Sequence, residues 1–292
     1  MVARMLKCKP DLIYSHFWIA ADQIIDYAIR NDIPTFVASG EDEIDIENYI
    51  GPQRIARLRK HTRGVICVST KNRTESIMHQ LTDDSKCIVL PNAVNEKLFY
   101  HAGKKEARKA LGYSQDDFIV AYCGRFNKRK GCRRVSEAIT LLNNPSIKSI
   151  FIGVPAGADV EEPLCEGILF KGALPHEDIP IYLNAADVFV LPTLAEGCSN
   201  AIVEAMACGL PVISSDLPFN TDILDDKNAI LVDPMDVKQI AEGINELLIK
   251  PELRQQMSIA TLATMKELTI EKRVRAILQF ITSRSKKLGG GN

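Results

Sequence analysis

The chain has 292 residues, 46% of them hydrophobic, and a formal net charge of −1 at pH 7. That length fits about two domains, each with its own core, and the charge balance gives no general attraction to nucleic acid. No apolar run is long enough to span a bilayer and the first residues lack a signal-peptide pattern, so the expected location is the cytoplasm.

In chain order, residues 1–10 read as the end of a helix that leads into a strand. Strands are expected at residues 11–15, 35–39, 65–69 and 87–90, with a helix between each pair, which makes a short first sheet. Six more follow at residues 118–123, 149–153, 168–171, 188–191, 211–214 and 229–232. Alternation of short apolar runs with helical stretches predicts parallel sheets in βα units, and the last six strands suffice for one complete doubly wound sheet. Residues 153–168, broken by Pro and Gly, are unsuited to a crossover helix. Helices are expected at residues 237–249 and 252–288, the second kinked, with residues 289–292 as a frayed tail. Eight cysteines are scattered without C-x-x-C spacing and read as reduced, buried thiols; the five histidines show no metal-ligand spacing.

Two carboxylates, Glu196 and Glu204, follow the strand at residues 188–191, where an α/β sheet binds its ligand. The helix expected from Ser199 to Cys208 has no polar face, ends at Gly209 in the position of a left-handed cap, and carries Glu204 as its only charge. A carboxylate in such surroundings needs a partner. Two partners stay open on composition: a ligand with hydroxyl groups, or a structural ion pair to a basic loop. Glu196 lies in the loop just before the helix, where free amides and the helix dipole favour an anion such as phosphate. Taken alone, it reads more readily as a solvated loop acid.

A basic turn follows the strand at residues 118–123. In Gly124-Arg-Phe-Asn-Lys-Arg-Lys-Gly131, four cations fall within six positions. Arg grips phosphate oxygens through paired hydrogen bonds and Lys adds a compact charge, so Arg125 and Lys130, at the strand end and the helix entrance, are the phosphate candidates. Lys128 and Arg129 read as solvated. Two features of the first half complete the reading. His16 follows a strand and is either a ligand contact or part of a packed aromatic corner with Phe17 and Trp18. Residues 54–63 are basic and amphipathic, which suits either a seat on anionic lipid or a solvated helix face.

The pair Glu196 and Glu204, separated by seven residues, resembles the E-x7-E motif of retaining glycosyltransferases with the GT-B fold, in the glycosyl transferases group 1 family. Cys123 to Gly131 resembles that family's G-R-(x)-K-G phosphate loop, Leu90-Pro-Asn-Ala-Val94 its interdomain stretch, and Ser215-Asp-Leu-Pro-Phe-Asn220 the turn after its next strand. Together the four collinear motifs cover about residues 85–250. The resemblance implies an α/β fold of GT-B architecture, two Rossmann-like domains with parallel sheets: residues 1–103 on the acceptor side, residues 104–270 binding donor, and residues 271–292 packing back on the first domain. It implies that Glu204 holds the ribose of a nucleotide-sugar donor, that Arg125, Lys130 and Gly124 meet its diphosphate, and that Glu196, with Gly197, Cys198, Ser199 and Asn200, meets the sugar and phosphate. His16 would face the interdomain cleft. The implied activity is metal-independent hexosyl transfer to a glycan or lipid-linked acceptor in surface polysaccharide or glycoconjugate synthesis, with no cofactor beyond the donor substrate. The absence of any D-x-D triplet agrees with the lack of a metal, and the absence of G-x-G-x-x-G argues against a nicotinamide enzyme.

The family's first domain opens with a strand and glycine-rich loop that this chain lacks. The first domain is therefore expected to be incomplete, and a complementary chain supplying the missing part is a candidate partner. Peripheral contact at the inner face of the membrane is a second expectation, from residues 54–63. The alternative functions are a donor-binding but inactive or partner-dependent subunit, and a nucleotide-sugar epimerase of similar fold.

Overall fold

The computed structural model describes residues 9–46 and 48–285. The expected opening helix end and the tail at residues 289–292 lie outside them, apart from residues 9 and 10. The chain divides into two compact units: Met1–Asn92 with Glu196–Cys198 and Glu271–Asn292, and Ala93–Ala195 with Ser199–Ile270.

The first unit contains a parallel sheet of β1 (Ile13–His16), β2 (Thr35–Ser39), β3 (Thr62–Cys67) and β4 (Cys87–Val89), in that order. Helices α1 (Trp18–Arg30), α2 (Pro52–His61) and α3 (Thr70–Met78) connect the strands. Successive side chains of a strand face opposite ways. Val37, Val65 and Cys67 meet Trp18, Ala21 and Ile25 of α1 and Leu58 of α2 on one face. Phe36 and Ile66 meet Ile277, Phe280 and Ile281 of α10 (Ile270–Ser285) on the other. Both faces are thus covered, in keeping with the buried apolar runs at residues 36–38 and 65–67 at the centre of the sheet.

In the second unit, α4 (Lys104–Leu111) precedes β5 (Phe118–Cys123), α5 (Cys132–Leu142), β6 (Ile147–Ile152), β7 (Ile168–Gly172), α6 (Ile179–Ala185) and β8 (Val188–Leu191). Then come α7 (Asn200–Ala207), β9 (Val212–Ser215), β10 (Ala229–Val232), α8 (Val237–Ile249) and α9 (Pro251–Met265). The strands are parallel in the order β10-β9-β8-β5-β6-β7. Beginning at β5, the chain winds outward through β6 and β7, then returns to lay β8, β9 and β10 on the opposite side. That reversal makes the gap between β5 and β8 a topological switch point, the place where open α/β sheets bind ligands beyond the carboxyl ends of their strands. Pairing there covers only Val120 with Val188 and Ala121 with Phe189.

Two expectations change in detail. In place of the one kinked helix expected after residue 252, the described residues form two, α9 and α10, broken at Lys266–Thr269. Val94 N donates to Leu268 O and Ile270 N donates to Val94 O, so the break is made by pairing with a distant segment rather than by a local Gly or Pro. The third strand begins at Thr62 instead of residue 65. The stretch between β6 and β7 contains no helix, as its Pro and Gly content requires.

Candidate functional site

The basic turn after β5 is built from inside. Phe126 is buried beneath it, Asn127 Oδ1 accepts from Lys130 N at 3.0 Å, and Gly131, at φ 78°, turns the chain into α5. A Cβ on Gly131 would lie 2.5 Å from a nitrogen of Arg134 and 2.9 Å from Pro192 O, so glycine is required by space as well as by conformation. The irregular β6–β7 crossover lies against this turn. Phe126 N donates to Val154 O and Lys128 N to Asp159 O, both at 2.8 Å. With those amides engaged, the turn presents chiefly side chains: Arg125 and Lys128 are exposed and Lys130 is half-buried. Arg129 departs from the expected solvated role. Its guanidinium donates to Ala195 O at 3.1 Å and its carbonyl accepts from Leu194 N at 2.9 Å, which ties the turn to the loop after β8.

Buried Arg134 makes a second tie, donating to Lys128 O and to Pro192 O, each at 2.8 Å. From β9, Ser214 Oγ donates to Leu191 O at 2.8 Å and Ser215 Oγ donates to Thr193 O. Asn220, in the turn beyond β9, donates to Ser215 O at 2.8 Å and Ser214 Oγ at 3.1 Å. The loops at the carboxyl ends of β5 and β8 are therefore held by buried polar groups, a rigid base for any ligand contact.

Glu204 lies on α7, its side chain only 16% exposed, and Oε1 is 2.9 Å from Nε2 of His176, a residue 59% exposed. Its partner is thus a histidine from the turn between β7 and α6, not the basic loop. The His176 ring packs on Phe99 at 5.0 Å between centroids. Burial raises the Glu204 carboxyl pKa above its ordinary 4.5, and the His176 hydrogen bond offsets part of that rise. Cys123 and Cys208 lie within its field; burial, with the Glu204 charge adding to it, pushes each thiol up to about 12, so both are inert at neutral pH.

A stability prediction follows from the direction of the Glu204 shift. Between pH 4.5 and the higher folded-state value, the folded chain holds this proton more than the unfolded chain does, so stability falls as pH rises through that window. Glu204→Gln lacks this loss. The variant is expected to gain melting temperature relative to the parent as pH rises from 4 through the window, with no gain from this source at or below pH 4. Melting curves across that range check it; a variant whose relative stability drops with rising pH contradicts it.

The structure thus brings Gly124, Arg125, Lys130, Ser199, Asn200 and Glu204 to the carboxyl end of the second unit's sheet. Ser199 is buried at the start of α7 and Asn200 exposed. Glu196, Gly197 and Cys198 group with the first unit. Glu196 is only 6% exposed, which excludes the solvated-acid reading. Cys198 O accepts from Asn92 Nδ2 at 2.9 Å, and a Cβ on Gly197 would sit 2.4 Å from Gly40 O. His16 is exposed at the carboxyl end of β1, its ring 5.4 Å from that of Tyr14. Neither His176 nor Arg134 is marked by any spacing or periodicity in the sequence, whereas Asn92 lies in the stretch at residues 90–94 that the sequence does mark.

Much of the charge of the basic helix α2 is engaged in surface ion pairs with neighbouring elements. Arg54 pairs with Asp22 at 2.6 Å and Asp26 at 2.9 Å, Arg57 with Asp26 at 2.7 Å, and Arg59 with Asp83. Among the described residues no helix is long and apolar enough to cross a membrane, and no group of three or more His, Cys, Asp or Glu could hold a metal ion.

Residues 103–263 match the family described as Glycosyl transferases group 1. The putative teichuronic acid biosynthesis glycosyltransferase TuaC of Bacillus subtilis is 27% identical over 264 residues, covering 85% of this chain and 65% of TuaC. The chain therefore spans just under two thirds of that relative's length. Among solved structures, the sucrose-phosphate synthase of Thermosynechococcus elongatus superposes with a TM-score of 0.80 at 22% identity, covering 97% of this chain and 75% of that one. HepE of Anabaena, solved in complex with UDP, also gives 0.80, at 18% identity, covering 94% and 79%. At these identities the structural likeness shows the fold.

Proposed function

The chain belongs to the glycosyl transferases group 1 family, and from that premise we propose that it moves a sugar from a nucleoside-diphosphate donor to a glycan or lipid-linked acceptor, with retention at the anomeric carbon. The observation that carries the reading is that exposed Arg125 and half-buried Lys130 follow β5 while the desolvated Glu204 lies on the helix after β8, the two strands that flank the switch point. UDP, bound in the HepE structure, is the kind of nucleoside diphosphate that a donor of the proposed class would release. TuaC, named for teichuronic acid synthesis, supports a polysaccharide acceptor.

In this reading residues 104–270 are the donor domain. Glu204 accepts hydrogen bonds from the ribose hydroxyls. Arg125 and Lys130 hold the diphosphate, and Glu196 with the amides of Gly197 and Cys198 meets the sugar and phosphate. His16 contributes from the end of β1. As the bond to the sugar breaks, negative charge grows on the departing diphosphate, and fixed cations stabilise that charge more in the transition state than in the ground state. Two preplaced cations can do the work a divalent metal does elsewhere.

Donor affinity in the presence of excess chelator tests this. Calorimetry across nucleotide sugars is expected to find a binding donor with EDTA present, and Arg125→Ala with Lys130→Ala to weaken it at least tenfold. Strict dependence of binding on a divalent cation would defeat the metal-free assignment. The anomeric configuration of the product, read by NMR, decides retention, and donor turnover without any acceptor would point to an epimerase.

A further inference from the structure

The carboxylate of Glu41, in the loop after β2, joins two strand ends. Oε1 accepts from Trp18 N at 2.6 Å, at the first turn of α1, a helix whose own N-cap residue, Phe17, supplies no side-chain cap. Oε2 accepts from Ser39 Oγ at 3.0 Å and Gly40 N at 2.9 Å. The Glu41 carbonyl accepts from Asn72 Nδ2 at 2.9 Å, and the Trp18 indole donates to Ser76 Oγ at 3.1 Å. Backbone strain adds to the picture. Phe17, between His16 and Trp18, has φ 69° and ψ 155°, a conformation that essentially only glycine adopts without cost, and it persists where the surroundings over-determine it. Phe17 N donates to Ala38 O at 2.9 Å and the next amide goes to Glu41. On its other side Glu41 fixes Gly40, whose carbonyl would be 2.4 Å from a Cβ on Gly197, the neighbour of Glu196.

We infer that Glu41 is a positioning residue, holding the strained turn that carries His16 and the Gly40 carbonyl against which the Glu196–Cys198 segment rests. The inference rests on the roles proposed above for His16 and Glu196. An ionised carboxylate suits this place because it is acceptor-only, offers two oxygens to several donors, and makes charge-assisted hydrogen bonds stronger than those of an amide. Reacting groups displaced by about an ångström can lose a hundredfold in rate while affinity for the substrate persists.

Glu41→Gln is nearly isosteric but turns one acceptor into a donor, so Trp18 N, Gly40 N or Ser39 Oγ is left facing an amide NH2. Expected in E41Q are a kcat at least tenfold lower, a calorimetric donor Kd within twofold of the parent, and amide exchange at least tenfold faster at residues 16–18 and 196–198 with residues 118–123 unchanged. Trp18 is the chain's single tryptophan, so its emission reports this network alone; a red shift is expected. Ser76→Ala, which removes the indole's acceptor and leaves the carboxylate, is expected to keep kcat within twofold. Unchanged exchange at residues 196–198, a kcat within twofold of the parent, or an equal loss in S76A overturns the inference. Should E41Q fail to fold, E41D, which keeps the charge but shortens the reach, carries the same comparison. If the parent chain transfers no sugar from any donor, the proposed function fails, and the exchange measurement still decides the role of Glu41.

Discussion

Asp187→Ala is expected to remove about 3–5 kcal/mol of stability from the second unit, the range for breaking a buried ion pair on one side. Asp187 stands immediately before β8 and is buried, as is Arg108 on α4. Its Oδ2 accepts from an Arg108 terminal nitrogen at 2.6 Å and from Ile119 N at 2.8 Å, and Oδ1 accepts from Lys104 Nζ at 2.7 Å. Arg108 also donates to Ala185 O, Gln115 O and Asp117 O, all at 2.9 Å. Without the carboxylate a guanidinium stays buried among carbonyls with no countercharge on Asp187, and the start of β5 loses an acceptor. The position explains why this pair matters for function. Asp187 and Arg108 lock β5 to β8 at their amino ends, while Arg134 joins the loops at their carboxyl ends, so buried arginines secure both ends of the switch-point strands. Denaturant unfolding followed by circular dichroism measures the loss. A change below about 1 kcal/mol, the scale of an exposed pair, would show that water reaches the site. Replacing Arg108 and Asp187 together by apolar residues of similar volume is expected to cost less than Asp187→Ala alone, because no unpaired charge remains.

Much of the fold follows from local pattern. The strand at residues 118–123 and that at 188–191 fall where expected, because each is an apolar run closed by a glycine or proline loop and buried on both faces. Gly209 ends α7 at φ 79°, the left-handed cap its place in the sequence implied. What local pattern could not supply is what the sheet brings together. His176 and Glu204 lie 28 residues apart and meet because β7 and β8 end on the same side of the sheet. Arg134, three residues into a helix after a basic turn, looks like one more solvated cation; its burial arises from carbonyls contributed by two different loops. Arg129 misleads in the same way. The break before α10 contains neither Gly nor Pro and reflects pairing with Val94, a case of tertiary contact overriding local propensity. Glu41 begins an acidic run, Glu41-Asp-Glu43, in which nothing distinguishes the residue that binds two strand ends.

Glu204→Ala is expected to weaken nucleotide-sugar binding about 10- to 100-fold, equivalent to about 1.5–3 kcal/mol for hydrogen bonds made to a charged group. The fold should be spared. The carboxylate's visible protein partner, His176, is largely exposed and can turn to water when Glu204 is removed, whereas the apolar wall of α7 loses only a charge it desolvated at a cost. The same desolvation gives the binding a pH signature. Ribose hydroxyls donate more strongly to the ionised carboxylate than to the neutral acid, so donor affinity is expected to fall as pH drops through the raised folded value of Glu204. His176→Ala removes the contact that holds that value down, and the midpoint of the affinity loss should then move to higher pH. In Glu204→Gln, which cannot ionise, this pH dependence should vanish along with the affinity. Calorimetric titration of the donor at a series of pH values distinguishes these cases. An unchanged donor affinity in folded Glu204→Ala would place the ribose elsewhere, and a midpoint unmoved by His176→Ala would show that the hydrogen bond between them does not survive when donor is bound.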